Sequence, residues 1–191
     1  MLLYTHSSGL TESTAEPVIL IHGLFGSYEN LGVIARSLSE QYHIINVDVR
    51  NHGRSGHSDQ MNYQLMADDL AQTLDALNIS KAALLGHSMG GKIAMLFATI
   101  YPYLVEKLII ADIGPKYYAP HHQSILKALN AVDFSKKPSR NEVDEIISKY
   151  ISDFGTKQFL LKNLYWETSV QLSFRFNLPV FNSQIEQIGT A

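Results

Sequence analysis

The chain has 191 residues, room for one domain or for a core with one insertion. Apolar residues make up 46 % and charged residues 17 %, an ordinary globular balance, and a net charge of −3 leaves no basic footprint for nucleic acid. There is no cysteine, which excludes disulfides and thiolate metal sites, and no apolar run approaches the roughly 20 residues that span a bilayer.

The opening stretch MLLYTHSSGLTESTAEP has no basic region followed by an apolar core, so it does not read as a secretory signal; the expectation is a cytoplasmic protein with no membrane segment. Residues 18–21 (VILI), bounded by Pro17 and Gly23, form a short continuous apolar run of the kind found in strands buried on both faces. HGLFG follows at 22–26, and Leu31, Ile34 and Leu38 mark a short helix. A second run, 43–49 (HIINVDV), leads into RNHGRSG. Asn62 then suits the cap of a helix whose Met66, Leu70, Leu74 and Leu77 share one face, with Asp68, Asp69 and Asp75 turned away. A third run, 82–85 (AALL), leads into GHSMGG and a helix over 93–100; a fourth, 108–113 (LIIADI), ends in Gly-Pro.

Strands alternating with helices predict a doubly wound α/β fold, in which ligands sit at the carboxyl ends of the strands. Each predicted strand here ends in a polar or glycine-rich segment, which makes that edge a candidate site. After Pro115 the pattern changes to amphipathic helical pieces around 125–132, 142–151 and 158–164, with scattered aromatics and no convincing buried parallel strand. The expected organisation is residues 1–114 as the first part of a core and 115–191 as a helical cap insertion.

Residues 84–93, LLGHSMGGKI, admit two chemistries. Gly86, Gly91 and Lys92 match most of a phosphate-binding loop, but the place of the Mg²⁺-holding Ser or Thr is taken by Ile93. Gly86, Ser88 and Gly90 match G-x-S-x-G, a sharp strand-to-helix turn that exposes a nucleophilic hydroxyl. Acyl transfer also needs two donors aimed at the developing oxyanion. The N–H of Met89, next after Ser88, supplies one, and the N–H of Leu24 in HGLFG is placed to supply the other.

The set HGLFG, DVRNHGRS, GHSMGGK and LIIADIGP resembles the α/β-hydrolase superfamily, and with FRFNLPV it is similar to the small bacterial esterases of the YbfF type. The resemblance covers nearly the whole chain. It implies a serine hydrolase of acyl esters or thioesters, with Ser88 as nucleophile, Leu24 and Met89 as the oxyanion hole, a helical cap after the strand ending at Asp112, and no metal or organic cofactor. Asp112 is placed as the acid of a triad. Asp48 also ends a strand, but Arg50 offers it a structural ion pair.

The superfamily order is Ser, acid, His. After Ser88 only His121 and His122 remain, and both read as solvated loop. His22, His52 and His87 read as structural, with His87 pointing into the sheet. The expectation is therefore a hydrolase lacking its C-terminal strands, final helix and catalytic histidine, inactive alone, with a separate C-terminal fragment as a candidate partner besides the small-molecule substrate. Its different-class alternative is a non-catalytic binding or regulatory protein on the same scaffold.

Overall fold

The computed structural model describes residues 1–10, 15–119 and 122–190. Strands β1 (Tyr4–Gly9), β2 (Pro17–Ile21), β3 (His43–Asp48), β4 (Ala82–His87) and β5 (Val105–Ala111) form one sheet in the order β1–β3–β2–β4–β5. Neighbours run parallel except β1, which pairs antiparallel with β3 at one edge. β1 (YTHSSG) was not among the expected strands: an edge strand needs no apolar run, and this one has none.

Ile19, Ile44 and Leu84, on the three inner strands, are fully buried, the reason these segments read as unbroken apolar runs. On one face, α2 (Tyr63–Ala76) and α3 (Met89–Ile100) pack Met66, Leu70, Leu74, Ile93 and Phe97 against Ile19, Ile21, Ile45 and Leu84. On the other, Leu31 and Ala35, at the start of and within α1 (Gly32–Leu38), cover Val18, Leu20, Ile44, Ala83 and Leu85. Asn62 caps α2 as expected, its side chain accepting the Leu65 N–H.

Two carboxylates depart from expectation. Asp69 is buried, not turned to solvent, and takes a fork of two bonds from Arg50, Nε to Oδ2 at 2.6 Å and Nη2 to Oδ1 at 2.9 Å. A guanidinium buried beneath α2 requires such a partner. Asp48 is thus not the partner of Arg50. Its two oxygens accept the N–H groups of Tyr28 (2.6 Å) and Arg54 (2.8 Å), tying together the loops after β2 and β3.

Beyond β5 lie α4 (Gln123–Asn130), α5 (Arg140–Ser148), α6 (Phe154–Leu161) and α7 (Leu178–Gly189). Between α6 and α7, β6 (Leu164–Thr168) and β7 (Gln171–Phe174) form an antiparallel hairpin, which corrects the wholly helical expectation for this part. Its pattern is legible: Leu172, Phe174 and Phe176 alternate and are buried, a period of two. Leu129, Ile147, Leu160 and Phe181 continue the core already built by α2 and α3. Three hydrogen bonds fix these elements over the carboxyl ends of the strands: Asn163 Nδ2 to Phe25 O (2.8 Å), Asn177 N to Asn51 O (2.9 Å), and Met61 N to Gln184 Oε1 (2.8 Å).

Candidate active site

Ser88 occupies the single residue between β4 and α3, with φ +53° and ψ −120°. A non-glycine residue with that backbone costs on the order of 1–3 kcal/mol, and its surroundings must impose it. They do so by close packing: a Cβ at Gly86 would lie 2.2 Å from Gly90 O, and one at Gly90 would lie 2.2 Å from Ile21 O. The Ser88 N–H is held by Ala111 O at 3.0 Å, anchoring the turn to the end of β5. Met89 opens α3, so its N–H is among the first-turn donors that have no partner within the helix.

The segment after β2 meets Ser88 edge-on. A Cβ at Gly23 would lie 3.2 Å from Ser88 Cβ, a contact tight enough that a side chain there would press on the serine. Gly26 N–H closes the turn onto Gly23 O at 3.0 Å. Phe25 is left-handed at φ +60°, and its buried ring packs edge-on against Phe176 and Phe181. Its N–H bonds to His52 Nε2 (3.2 Å) and its carbonyl to Asn163 Nδ2 (2.8 Å). His22 lies beneath, its ring 5.0 Å from that of His52. Burial holds both imidazoles below the ordinary histidine range, and for His52 the neighbouring His22 adds to this. Both rings are buried with each nitrogen in a hydrogen bond. Asn163 carried no signal in the sequence: its neighbours LLKNLYW resemble any helix end.

The other side of Ser88 is open. Asp112 follows β5 in a left-handed conformation (φ +57°), with its side chain 89 % exposed. His87 Nε2 stands 3.9 Å from Asp112 Oδ2, beyond hydrogen-bond reach. His87 does not point into the sheet: its side chain is 46 % exposed and lines the cleft beside Ser88. His122 is likewise not simple solvated loop, since it is half-buried against Phe25 and borders the same cleft. His121 lies outside the described residues. Two spaces meet at Ser88. A narrow one of about 60 Å³ is bordered by Leu24, Met89, Ile113, Ile185 and Ile188; a wider one of about 420 Å³ is bordered by Gly23, Asn30, His87, His122 and Phe159.

Lys92 is not available to a phosphate. Its ammonium is buried and donates to the carbonyls of Lys116 (2.8 Å), Gly189 (3.2 Å) and Thr190, capping the end of α7. Burial lowers its pKa. Among the described residues no three His, Cys, Asp or Glu side chains gather as metal ligands, and no helix is long and apolar enough to cross a membrane.

Residues 16–163 match the family model described as alpha/beta hydrolase fold. The chain is 43 % identical over 173 residues to Esterase YbfF of Escherichia coli strain K12, covering 90 % of this chain and 66 % of that protein. It is 36 % identical over 195 residues to the sn-1-specific diacylglycerol lipase ABHD11 of Danio rerio, covering 98 % and 61 %. It thus spans under two thirds of the length of both. A solved structure titled Marine microorganism esterase superposes with a TM-score of 0.94 at 36 % identity, covering the whole of this chain and 74 % of its own.

Proposed function

The chain belongs to the α/β-hydrolase fold family, and on that premise we propose that it is the core of a serine hydrolase of acyl esters or thioesters. The observation that carries the reading is the left-handed Ser88 at the β4–α3 turn, with the Gly23–Gly26 turn pressed against its Cβ. Ser88 Oγ attacks the carbonyl carbon, and the N–H groups of Leu24 and Met89 receive the charge that develops on oxygen. The alcohol or thiol then leaves, and water repeats the addition to release the acid. The residues beyond Pro115 act as a cap over this centre. The narrow space beside Ser88 suits a short acyl chain, and the wider cleft the leaving group.

Attack needs a base, and the Ser88 hydroxyl has no imidazole partner among the described residues. His22 and His52 are buried with both ring nitrogens engaged, so neither serves. Asp112 is the acid that orients the missing base, which comes from a C-terminal segment seated along β5, in the same chain or supplied separately. The exposed apolar edge of β5 supports that placement, with Leu108 41 % and Ile109 48 % exposed. So does the greater length of the relatives.

The test joins this chain to the C-terminal portion of the Escherichia coli relative and measures hydrolysis of p-nitrophenyl acetate, butyrate and octanoate. Turnover falling with acyl length, and reduced to a residual rate roughly 10⁶-fold lower in Ser88→Ala, is expected. Equal rates with and without the Ser88 hydroxyl overturn the nucleophile. A Ser88 hydroxyl with no imidazole partner among the described residues also fits a non-catalytic binding protein on this scaffold. Saturable binding of an ester by the joined protein, without turnover, selects that reading.

A further inference from the structure

A peptide group is a rigid plane, with its carbonyl oxygen and its N–H on opposite edges. The plane between Gly23 and Leu24 carries Gly23 O on one edge and the Leu24 N–H on the other. Whatever grips the oxygen therefore aims the N–H. Two donors grip it: the Gly26 N–H at 3.0 Å, and His22, whose Nδ1 lies 2.7 Å away.

Which nitrogen of His22 carries the proton follows from its second contact. Nε2 receives the Val49 N–H at 3.0 Å, so Nε2 is a bare acceptor and the ring proton sits on Nδ1, facing Gly23 O. The ring has no exposed edge through which to exchange these roles. The opposite tautomer would set a nitrogen lone pair against the carbonyl oxygen, and the charged ring would set a proton against the Val49 N–H. His52 repeats the arrangement one peptide further on, with Nδ1 at 2.9 Å from Arg50 O and Nε2 receiving the Phe25 N–H. The loop after β3 thus holds two successive peptides of the turn that borders Ser88.

We infer that His22 is a positioning residue: locked as the neutral Nδ1–H tautomer between Val49 and Gly23, it turns the Leu24 N–H toward the space above Ser88, where an oxyanion forms. The consequence for turnover rests on the hydrolase reading; the consequence for the backbone does not. Without the His22 donor, Gly23 O keeps only the Gly26 N–H, and Gly23 has no side chain to resist a rotation of the Gly23–Leu24 plane.

Two substitutions separate the contacts of the ring. His22→Asn places an amide NH₂ where Nδ1 stands, keeping the donor to Gly23 O and losing the acceptor for Val49. His22→Gln places its amide where Nε2 stands, keeping the acceptor and losing the donor. Long-range ¹H–¹⁵N spectra at pH 7 should show His22 and His52 of the unmodified chain as neutral Nδ1–H rings. A nuclear Overhauser cross-peak between the Leu24 amide proton and the Ser88 Hβ protons should be present there and in His22→Asn, and absent in His22→Gln. In the joined protein, His22→Gln should lower kcat roughly 10²-fold, the loss of one oxyanion donor, with KM unchanged within about threefold, while His22→Asn stays within about fivefold. A proton on Nε2 of His22, a retained Leu24–Ser88 cross-peak in His22→Gln, or equal kcat in the two variants overturns the inference. Should His22→Gln fail to fold, the tautomer in the unmodified chain and the cross-peak in His22→Asn still decide it. Should the joined protein turn over no ester, the function falls and the spectra still judge the positioning role.

Discussion

The two sides of Ser88 are built to different degrees. On the side of the β2 turn, the polar groups described there are paired and buried: His22, His52 and Asn163 hold Gly23 and Phe25, and Phe176 and Phe181 seal the turn. On the side of β5, Asp112 stands in solvent, 3.9 Å from the nearest imidazole nitrogen described for it. On the proposed reading, this paired side is the electrostatic half of an acyl-transfer site, held fixed in advance as hydrogen-bond donors to an oxyanion must be. On the same reading, the open side is the proton-moving half, with Asp112 proposed as its carboxylate and its base supplied from elsewhere. A region that is fully paired resists change through stability, whereas an exposed one responds through activity alone. The largest expected effect is on the exposed side. In the joined protein, Asp112→Asn should lower turnover by up to ~10⁴-fold, by analogy with triads in which the acid fixes the base's tautomer. Its thermal midpoint should stay within about 2 °C, since the side chain is 89 % exposed and makes no hydrogen bond among the described residues. A loss below tenfold moves the acid elsewhere and removes the contrast.

On the buried side, pH is the next lever. His22 and His52 are held below the ordinary histidine range chiefly by burial, a shift that Asp48 partly opposes at His22 and that His22 and His57 deepen at His52. Well above pH 6.5 both are neutral folded and unfolded. As pH falls below that value the unfolded chain takes up protons that the folded one refuses, so stability falls, by up to about 1.4 kcal/mol per pH unit for each ring. The exposed carboxylates Asp133, Glu142, Asp144 and Asp153, which hydrogen bonds hold low, act only in a more acid range. Urea midpoints measured from about pH 7.5 to 5.0 should therefore decline below roughly 6.5. A flat profile means the rings protonate in place, and with it the tightly paired description of this side fails.

A smaller effect is expected where the two parts of the chain touch. Asn163→Ala leaves the buried Phe25 carbonyl without its donor, which costs about 1–3 kcal/mol. Because Phe25 is also left-handed, the loss should extend to turnover in the joined protein, and Asn163→Asp, which cannot donate, should be no better. If Asn163→Ala lowers stability but leaves kcat intact, the helical part covers the turn without governing it.

The same contrast governs what could be read in the sequence. The sheet was legible because strands buried on both faces leave continuous apolar runs, and the Ser88 turn because its crowding admits glycine alone at positions 86 and 90. The hairpin of β6 and β7 was missed although Leu172, Phe174 and Phe176 alternate, since so short a pattern competes with helical spacing on either side. Polar partners were the least legible. Asp69 sits on a helix face that its neighbours mark as solvent, and the choice of Arg50 between Asp48 and Asp69 depends on where α2 crosses the loop after β3. The grip of Asn163 on Phe25 joins residues 138 positions apart and leaves no local trace.

The smallest effect on folding is expected at the sheet's open edge. β5 is an outer strand, paired only with β4 among the described residues, and it presents Leu108 and Ile109 to solvent. An apolar edge with unpaired backbone groups is a template for further strands, whether a complementary segment or another copy of the same edge. A charge placed there opposes both without touching the core. Ile109→Lys should change the urea midpoint of this chain little, within about 0.5 kcal/mol, because nearly half of the side chain is already exposed. Two other readouts should both fall. Light scattering at high protein concentration should drop, as it does when a charged residue guards a sticky strand. Recovery of esterase turnover on adding a separate C-terminal portion of the Escherichia coli relative should weaken, because the incoming strand would meet an ammonium in place of an apolar side chain. If complementation is as strong in the Ile109→Lys chain as in the unmodified one, the segment that carries the base does not seat on β5, and the exposed Asp112 at its end must find its imidazole from another direction.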